Sequence, residues 1–167
     1  MAKAVRGWLA LRPLTAMIAA LILFLGLALP QPSTPVDWKF SAVQRADGTV
    51  EVRCDARLDE GWHVYATELS SSDGPIATSI RITSSASYSA VIALEEPAPK
   101  EEYDPNFGMV VRYHAGTPRF VVLLKPSTAE PFTVKGEVEY MVCNDKTCLP
   151  PVVVPFDVPV QAESPKR

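Results

Sequence analysis

Cysteine and histidine are both scarce in this sequence, with three and two residues among 167. Three cysteines allow at most one internal disulfide and leave one thiol over, which excludes a scaffold held by several bridges. Neither His63 nor His114 has ligand spacing to another candidate, so no histidine-built metal centre is indicated. Positive charge thins out early. Lys3, Arg6 and Arg12 are the only charges before residue 29, and the remainder carries 13 Lys and Arg against 19 Asp and Glu, a net charge near −6. Nucleic acid and anionic lipid are thereby disfavoured as partners. From Trp38 onward no stretch shows a helical period, and there is no repeat or low-complexity tract. The length leaves room for one domain with a real core plus a targeting segment, not for two large domains.

What the sequence does have begins with an export signal. The run Leu14 to Leu29 carries no charge and follows a purely basic stretch. Its sixteen residues would form a helix of roughly 24 Å, short of the ~30 Å hydrocarbon core, which favours a signal peptide over a permanent anchor. Gly26-Leu27-Ala28 offers small residues for cleavage after Ala28, and no cysteine follows that could be lipidated. If retained, residues 8–29 would hold the domain at the outer face of the membrane, because positive flanks stay inside. The expected organisation is a signal peptide or anchor over 1–28, a linker over 29–36, one domain over 37–161 and a tail over 162–167, with the domain in the periplasm.

Period-two alternation makes that domain all-β. Val50, Val52, Cys54, Ala56 and Leu58 fall on one face of a strand and Glu51, Arg53, Asp55 and Arg57 on the other, the pattern of a half-buried strand. Ala46-Asp47-Gly48 before it predicts a hairpin with a type I′ turn, and Glu60-Gly61 turns the chain into Trp62-His63-Val64-Tyr65. Further strands are expected around 79–83, 88–94, 119–125 and 132–142, while Glu95 to Gly108, with three prolines, reads as a long irregular loop. Pro151, Pro155 and Pro159 share one parity, so the last strand, 152–160, should lie at a sheet edge. About eight short strands predict a two-sheet, immunoglobulin-like β-sandwich.

Cys143-Asn-Asp-Lys-Thr-Cys148 places two cysteines around a four-residue hairpin loop that can bring their Cα atoms to disulfide distance. Such a small ring stabilises a fold by only about 2 kcal/mol, whereas a Cys54–Cys143 bridge would contribute over ~4 kcal/mol. The close pair therefore suits a reversible bond, although a structural clip remains open. Cys54, at the centre of an apolar strand face, reads as an inert core thiol. Strand parity sets Cys143 opposite Phe132, Val134, Val138, Tyr140 and Val142, facing outward. Cys148 shares parity with the apolar residues of the last strand, so a bulge or break at Leu149-Pro-Pro151 is needed to reconcile the two. Lys146 favours a thiolate and Asp145 opposes one.

Gly61-Trp-His-Val-Tyr65, the acidic-aromatic stretch ending Asp104-Pro-Asn-Phe107-Gly108, and Tyr140-Met-Val-Cys143 with Cys148-Leu-Pro-Pro151 together resemble the amino-terminal periplasmic domain of the thiol:disulfide interchange protein DsbD family, over roughly Val36 to Val160. The resemblance implies an immunoglobulin-like sandwich that acts as a protein-disulfide reductase component, with a place in cytochrome c biogenesis. It would take electrons from a thioredoxin-like partner and hand them to periplasmic disulfide proteins. It implies that Cys143 and Cys148 are the redox pair, with Cys148 forming mixed disulfides, and that Phe107, with Tyr103, Asp104 and Gly108, belongs to a cap loop shielding the disulfide. Tyr65 and Tyr103 would line the site or simply pack. No cofactor is implied. No multi-helix membrane domain or thioredoxin-like domain follows within these residues, so the expected electron supplier is a separate membrane thiol reductase.

Two other classes stay open. Cys143 and Cys148 could join His63, His114, Met109 or Met141 around a copper ion, which soft sulfur ligands select. The domain could instead be a non-catalytic binding or assembly module with a structural disulfide. The acidic residues Glu95, Glu96, Glu101 and Glu102 read most simply as a solvated loop that could also orient partners.

Overall fold

A computed structural model describes residues 34–160. The expected export segment, most of the linker and the tail lie outside the described residues. Among the described residues no helix is long and apolar enough to cross a membrane.

The domain is an all-β, immunoglobulin-like sandwich. One sheet holds β1 (Val36–Gln44), β2 (Val50–Leu58), β8 (Arg119–Pro126) and β5 (Tyr88–Glu95), in the order β1-β2-β8-β5. The facing sheet holds β12 (Val152–Val160), β9 (Phe132–Tyr140) and β4 (Ser79–Ile82), in the order β12-β9-β4. All pairings are antiparallel. Val50, Val52, Cys54, Ala56 and Leu58 are buried as their alternation requires, and they meet Val134, Val138, Tyr140, Phe156 and Val158 from the other sheet in one core. β12 lies at a sheet edge, with Pro155 and Pro159 on it, as residues lacking an N–H demand.

A third sheet carries the site. It holds β11 (Thr147–Cys148), β10 (Val142–Asn144), β3 (His63–Tyr65), β7 (Met109–Ala115) and β6 (Lys100–Asp104), in that order. One face adds Val64 and Val142 to the sandwich core, while the other gathers Tyr65, Val111 and Cys143 into a second, smaller cluster.

Four expectations are corrected here. The Asp47-Gly48 turn is not type I′, because Gly48 alone has a positive φ (82°). Its N–H donates to Arg45 O at 3.0 Å and Arg45 N–H donates to Thr49 O, which makes a longer loop. The 95–108 stretch is not all loop, since Lys100–Asp104 pairs with Met109–Ala115 as a hairpin. Four of the five β6 residues are exposed, so no alternation marked it. The acidic residues are not simply solvated: Glu96 accepts the Thr67 N–H at 2.8 Å and lies 3.1 Å from the buried His114. The predicted strand 132–142 is broken at Met141, where the chain leaves β4 and β12 and pairs with β3 and β11 instead.

Candidate redox site

The site is built from two hairpins that meet over β3. The first is β10–β11, in which Cys143 pairs with Cys148 and Asn144 with Thr147, so the connection is shorter than the expected four residues. Asn144 Oδ1 accepts the N–H groups of Lys146 (2.9 Å) and Thr147 (3.0 Å), closing the turn without any left-handed residue. Leu149 N–H donates to Val142 O at 3.0 Å, which makes Val142 and Leu149 a hydrogen-bonded pair and Cys143–Cys148 the closer, non-hydrogen-bonded pair beside it. Their Cα atoms are 4.1 Å apart and the sulfurs are joined at 2.01 Å. Beyond Cys148, residues 149–151 are in no strand; Leu149 packs on the sandwich core while Cys148 packs on the smaller cluster, so the break required by parity is present.

Cys143 does oppose Val142, as alternation predicts, but it does not face solvent: it is fully buried. The face away from the sandwich is covered by side chains of the neighbouring strands and of the β6–β7 turn, Tyr65, Val111, Met109 and Phe107. Sequence parity reports a side, not what lies over it. Cys148 is half-buried, the more exposed residue of the two.

The second hairpin, β6–β7, supplies that cover. Its turn, Pro105 to Gly108, is closed by Gly108 N–H donating to Asp104 O at 2.8 Å, and Gly108 sits at φ 67°, a conformation that favours glycine. Phe107 meets the Tyr65 ring edge-on at 6.0 Å and shares a cluster with Cys143 and Cys148. Asn106 Nδ2 donates to Asn144 O at 2.9 Å, tying the tip of this hairpin to the cysteine hairpin. Tyr103 is 62% exposed and outside the cluster that holds the disulfide, but it lines the cleft beside His63 and its hydroxyl reaches toward the Gly108 turn.

Beneath the cap lies a polar group. Tyr65 Oη donates to Asp104 Oδ2 at 2.6 Å and lies 4.0 Å from Cys148 Sγ. Burial works against ionisation of Asp104, but hydrogen bonds from Tyr65 and from the Asn106 N–H (2.8 Å) outweigh it and hold the carboxyl below its ordinary range. The Tyr65 phenol is pushed up by burial and by the same carboxylate, so it stays a neutral donor. His63 completes the group, its Nε2 3.4 Å from Tyr65 Oη and 3.7 Å from Asp104 Oδ2. A shallow cleft lined by His63, Glu102, Tyr103, Asp104, Tyr113 and Asp145, among others, opens beside it.

Of the residues expected at the site, Cys143, Cys148, Phe107, Asp104 and Tyr65 come together, Gly108 shapes the turn, and Tyr103 lines the adjoining cleft without joining the cluster that holds the disulfide. Asn106, Asn144 and Tyr113 were not anticipated. His63, part of the Gly61–Tyr65 stretch and a candidate copper ligand in the sequence, shares the parity of Tyr65 on β3, which places it on the site face. Of the copper set, Met109 and Met141 pack on the cluster with the cysteines, but the two sulfurs are bonded to each other, His114 is paired with Glu96, and among the described residues no group of three or more His, Cys, Asp or Glu could hold a metal ion. Cys54 is the free thiol, fully buried, and burial pushes its pKa up to about 12.

The family model described as thiol:disulfide interchange protein DsbD, N-terminal, matches residues 30–159. The DsbD N-terminal domain of Neisseria meningitidis in its reduced form is similar, with 19% identity, a TM-score of 0.54, and coverage of 80% of this chain and 91% of that one. The N-terminal periplasmic domain of ScsB from Proteus mirabilis is similar at 17% identity and a TM-score of 0.53, covering 82% of this chain and 51% of that one. A complex between the DsbD N-terminal and PilB N-terminal domains from Neisseria meningitidis also matches, at 18% identity and a TM-score of 0.48, over 78% of this chain and 87% of that one. No curated protein matches. With 130 of its 167 residues covered by the family model, the chain belongs to the family of the N-terminal domain of the thiol:disulfide interchange protein DsbD.

Proposed function

We propose that this domain is a periplasmic thiol:disulfide relay that accepts electrons from a thioredoxin-like partner, itself supplied by a separate membrane thiol reductase, and passes them to disulfide-bonded proteins. In this reading residues 37–161 form the working domain, and residues 1–28 export it or anchor it to the membrane. The observation that carries the reading is the inequality of the bonded pair: Cys143 is fully buried while Cys148 is half-buried at the edge of a cap.

A partner thiolate attacks Cys148 Sγ, the Cys143–Cys148 bond breaks, and Cys143 leaves as a thiolate that takes a proton. The partner's second thiolate then attacks its own sulfur in the mixed disulfide, releasing Cys148 as a thiolate and leaving the partner oxidised. Two electrons have moved to this domain. Passing them on reverses the roles: Cys148 attacks a client disulfide and Cys143 resolves the mixed disulfide. Phe107, packed in the cluster with Cys148, must move aside for each encounter, so it protects the pair between encounters.

Redox titration of the purified domain against a glutathione couple tests the proposal. The expected result is a reversible two-electron midpoint with the domain folded throughout, and loss of partner adducts in Cys148→Ala. A bond that resists reduction until the protein unfolds, or a Cys148→Ala variant that still forms adducts, overturns it.

A further inference from the structure

Exchange moves protons as well as electrons, because the attacking sulfur must be a thiolate. Tyr65 Oη lies 4.0 Å from Cys148 Sγ and 3.4 Å from His63 Nε2, so one hydroxyl stands between the sulfur and an imidazole. Asp104 is also in reach of Tyr65, but it is a poor candidate to take the proton. Two donated hydrogen bonds keep it ionised below the ordinary carboxylate range, and such a group binds a proton weakly near neutrality.

We propose that His63 holds the proton that Cys148 releases when it becomes the attacking thiolate, receiving it through the Tyr65 hydroxyl. The inference rests on the exchange reading above and adds the residue that sets its pH dependence. The Cys148 S–H bond breaks as the Tyr65 oxygen accepts the proton. The hydroxyl's own hydrogen turns from Asp104 to His63 Nε2 and is given up there. The products are a thiolate and an imidazolium, with no change in net charge. When the thiolate attacks a partner disulfide, a bond forms from Cys148 Sγ to one partner sulfur, and the other departs as a thiolate that takes the proton back from His63 by way of solvent.

The surroundings suit a group that gains and loses a proton. Around His63 are Tyr65 on its own strand, Glu102, Tyr103 and Asp104 on β6, Tyr113 on β7 with its ring 4.8 Å away, and Asp145 in the β10–β11 turn. Burial lowers the imidazole pKa by more than Asp104, Asp145 and Glu102 raise it, so the net shift is downward. The ring is therefore neutral near pH 7 beside the disulfide, and a new negative charge on Cys148 raises its proton affinity.

The test is the pH dependence of Cys148 alkylation by iodoacetamide in the reduced full chain, with the modified residue located by mass spectrometry. The wild-type rate should show an inflection in the imidazole range besides that of the thiol. His63→Phe and His63→Gln should both lose that inflection and react about tenfold more slowly near neutrality, the effect of a one-unit shift in apparent thiol pKa. Glutamine keeps a polar contact to Tyr65 but cannot titrate, so it separates proton holding from packing. The wild-type profile in either folded variant overturns the role of His63. Should neither variant fold, the His63 ring is titrated by NMR in the oxidised and reduced wild type: a higher pKa on reduction supports the proposal and an unchanged one overturns it. A domain that exchanges normally with an unaltered pH profile in the variants sinks only this inference, whereas a disulfide that cannot be reduced in the folded state sinks the exchange reading itself.

Discussion

At the scale of single residues, the site depends on one buried carboxylate and the hydroxyl that satisfies it. Asp104 is 3% exposed, and removing the 2.6 Å bond from Tyr65 leaves that side of it without a donor. Tyr65→Phe should therefore destabilise the domain by about 1–3 kcal/mol, the cost of an unsatisfied buried acceptor. The sign of the accompanying pH effect follows from the direction of the shift. A carboxyl whose folded-state pKa is depressed contributes its full stability above the ordinary carboxylate value and loses it as pH falls through the folded value. With the Tyr65 bond gone the folded value rises, so acid unfolding of Tyr65→Phe should begin at higher pH than in the wild type. Urea unfolding followed across acidic pH checks both effects, and equal acid limits for the two proteins would show that the bond does not hold Asp104 ionised.

At the scale of elements, β7 of the cap hairpin is paired with β3, and the hairpin's tip reaches over to the cysteine hairpin. The bond from Asn106 to Asn144 O is exposed, and Phe107 meets Tyr65 through a ring edge. Net worth for such a hydrogen bond is about 1 kcal/mol, so Asn106→Ala should raise the open population of the cap about fivefold. Cys148 in the reduced domain should then react correspondingly faster with a small disulfide reagent, while the global urea midpoint barely moves. An unchanged rate would mean that the tip is held by something other than Asn106. The same elements show what could be read from the sequence. The β2 alternation, the proline edge of β12, the core position of Cys54 and the approach of Cys143 to Cys148 were all legible, because each is a local or period-two signal. β6 was not, because a strand exposed on four of its five residues has no alternation to display. The burial of Cys143 was not legible either, since it depends on a hairpin some forty residues away folding over it.

At the scale of the whole molecule, the two apolar clusters divide the labour. The larger one joins the facing sheets of the sandwich, and the smaller one holds Tyr65, Val111 and Cys143 on the outer face of the third sheet. Val64 and Val142 alternate with Tyr65 and Cys143 along β3 and β10, so the cysteine hairpin is seated on the core without its sulfurs being part of that core. A bond placed this way can break without dissolving the fold. The ring it closes is only Cys143 to Cys148, and releasing a constraint of that size removes about 2 kcal/mol in the chain-entropy model. The reduced domain should therefore keep the near-ultraviolet circular dichroism of its core tryptophan and tyrosine residues and unfold cooperatively at a modestly lower urea midpoint. A Cys143→Ala, Cys148→Ala double variant should lie close to the reduced protein on the same curve. Loss of core signal on reduction would show instead that the bond is a structural clip. Retention with a drop of this size is what a disulfide needs if it is to be opened and closed repeatedly by partners while the sandwich stays folded.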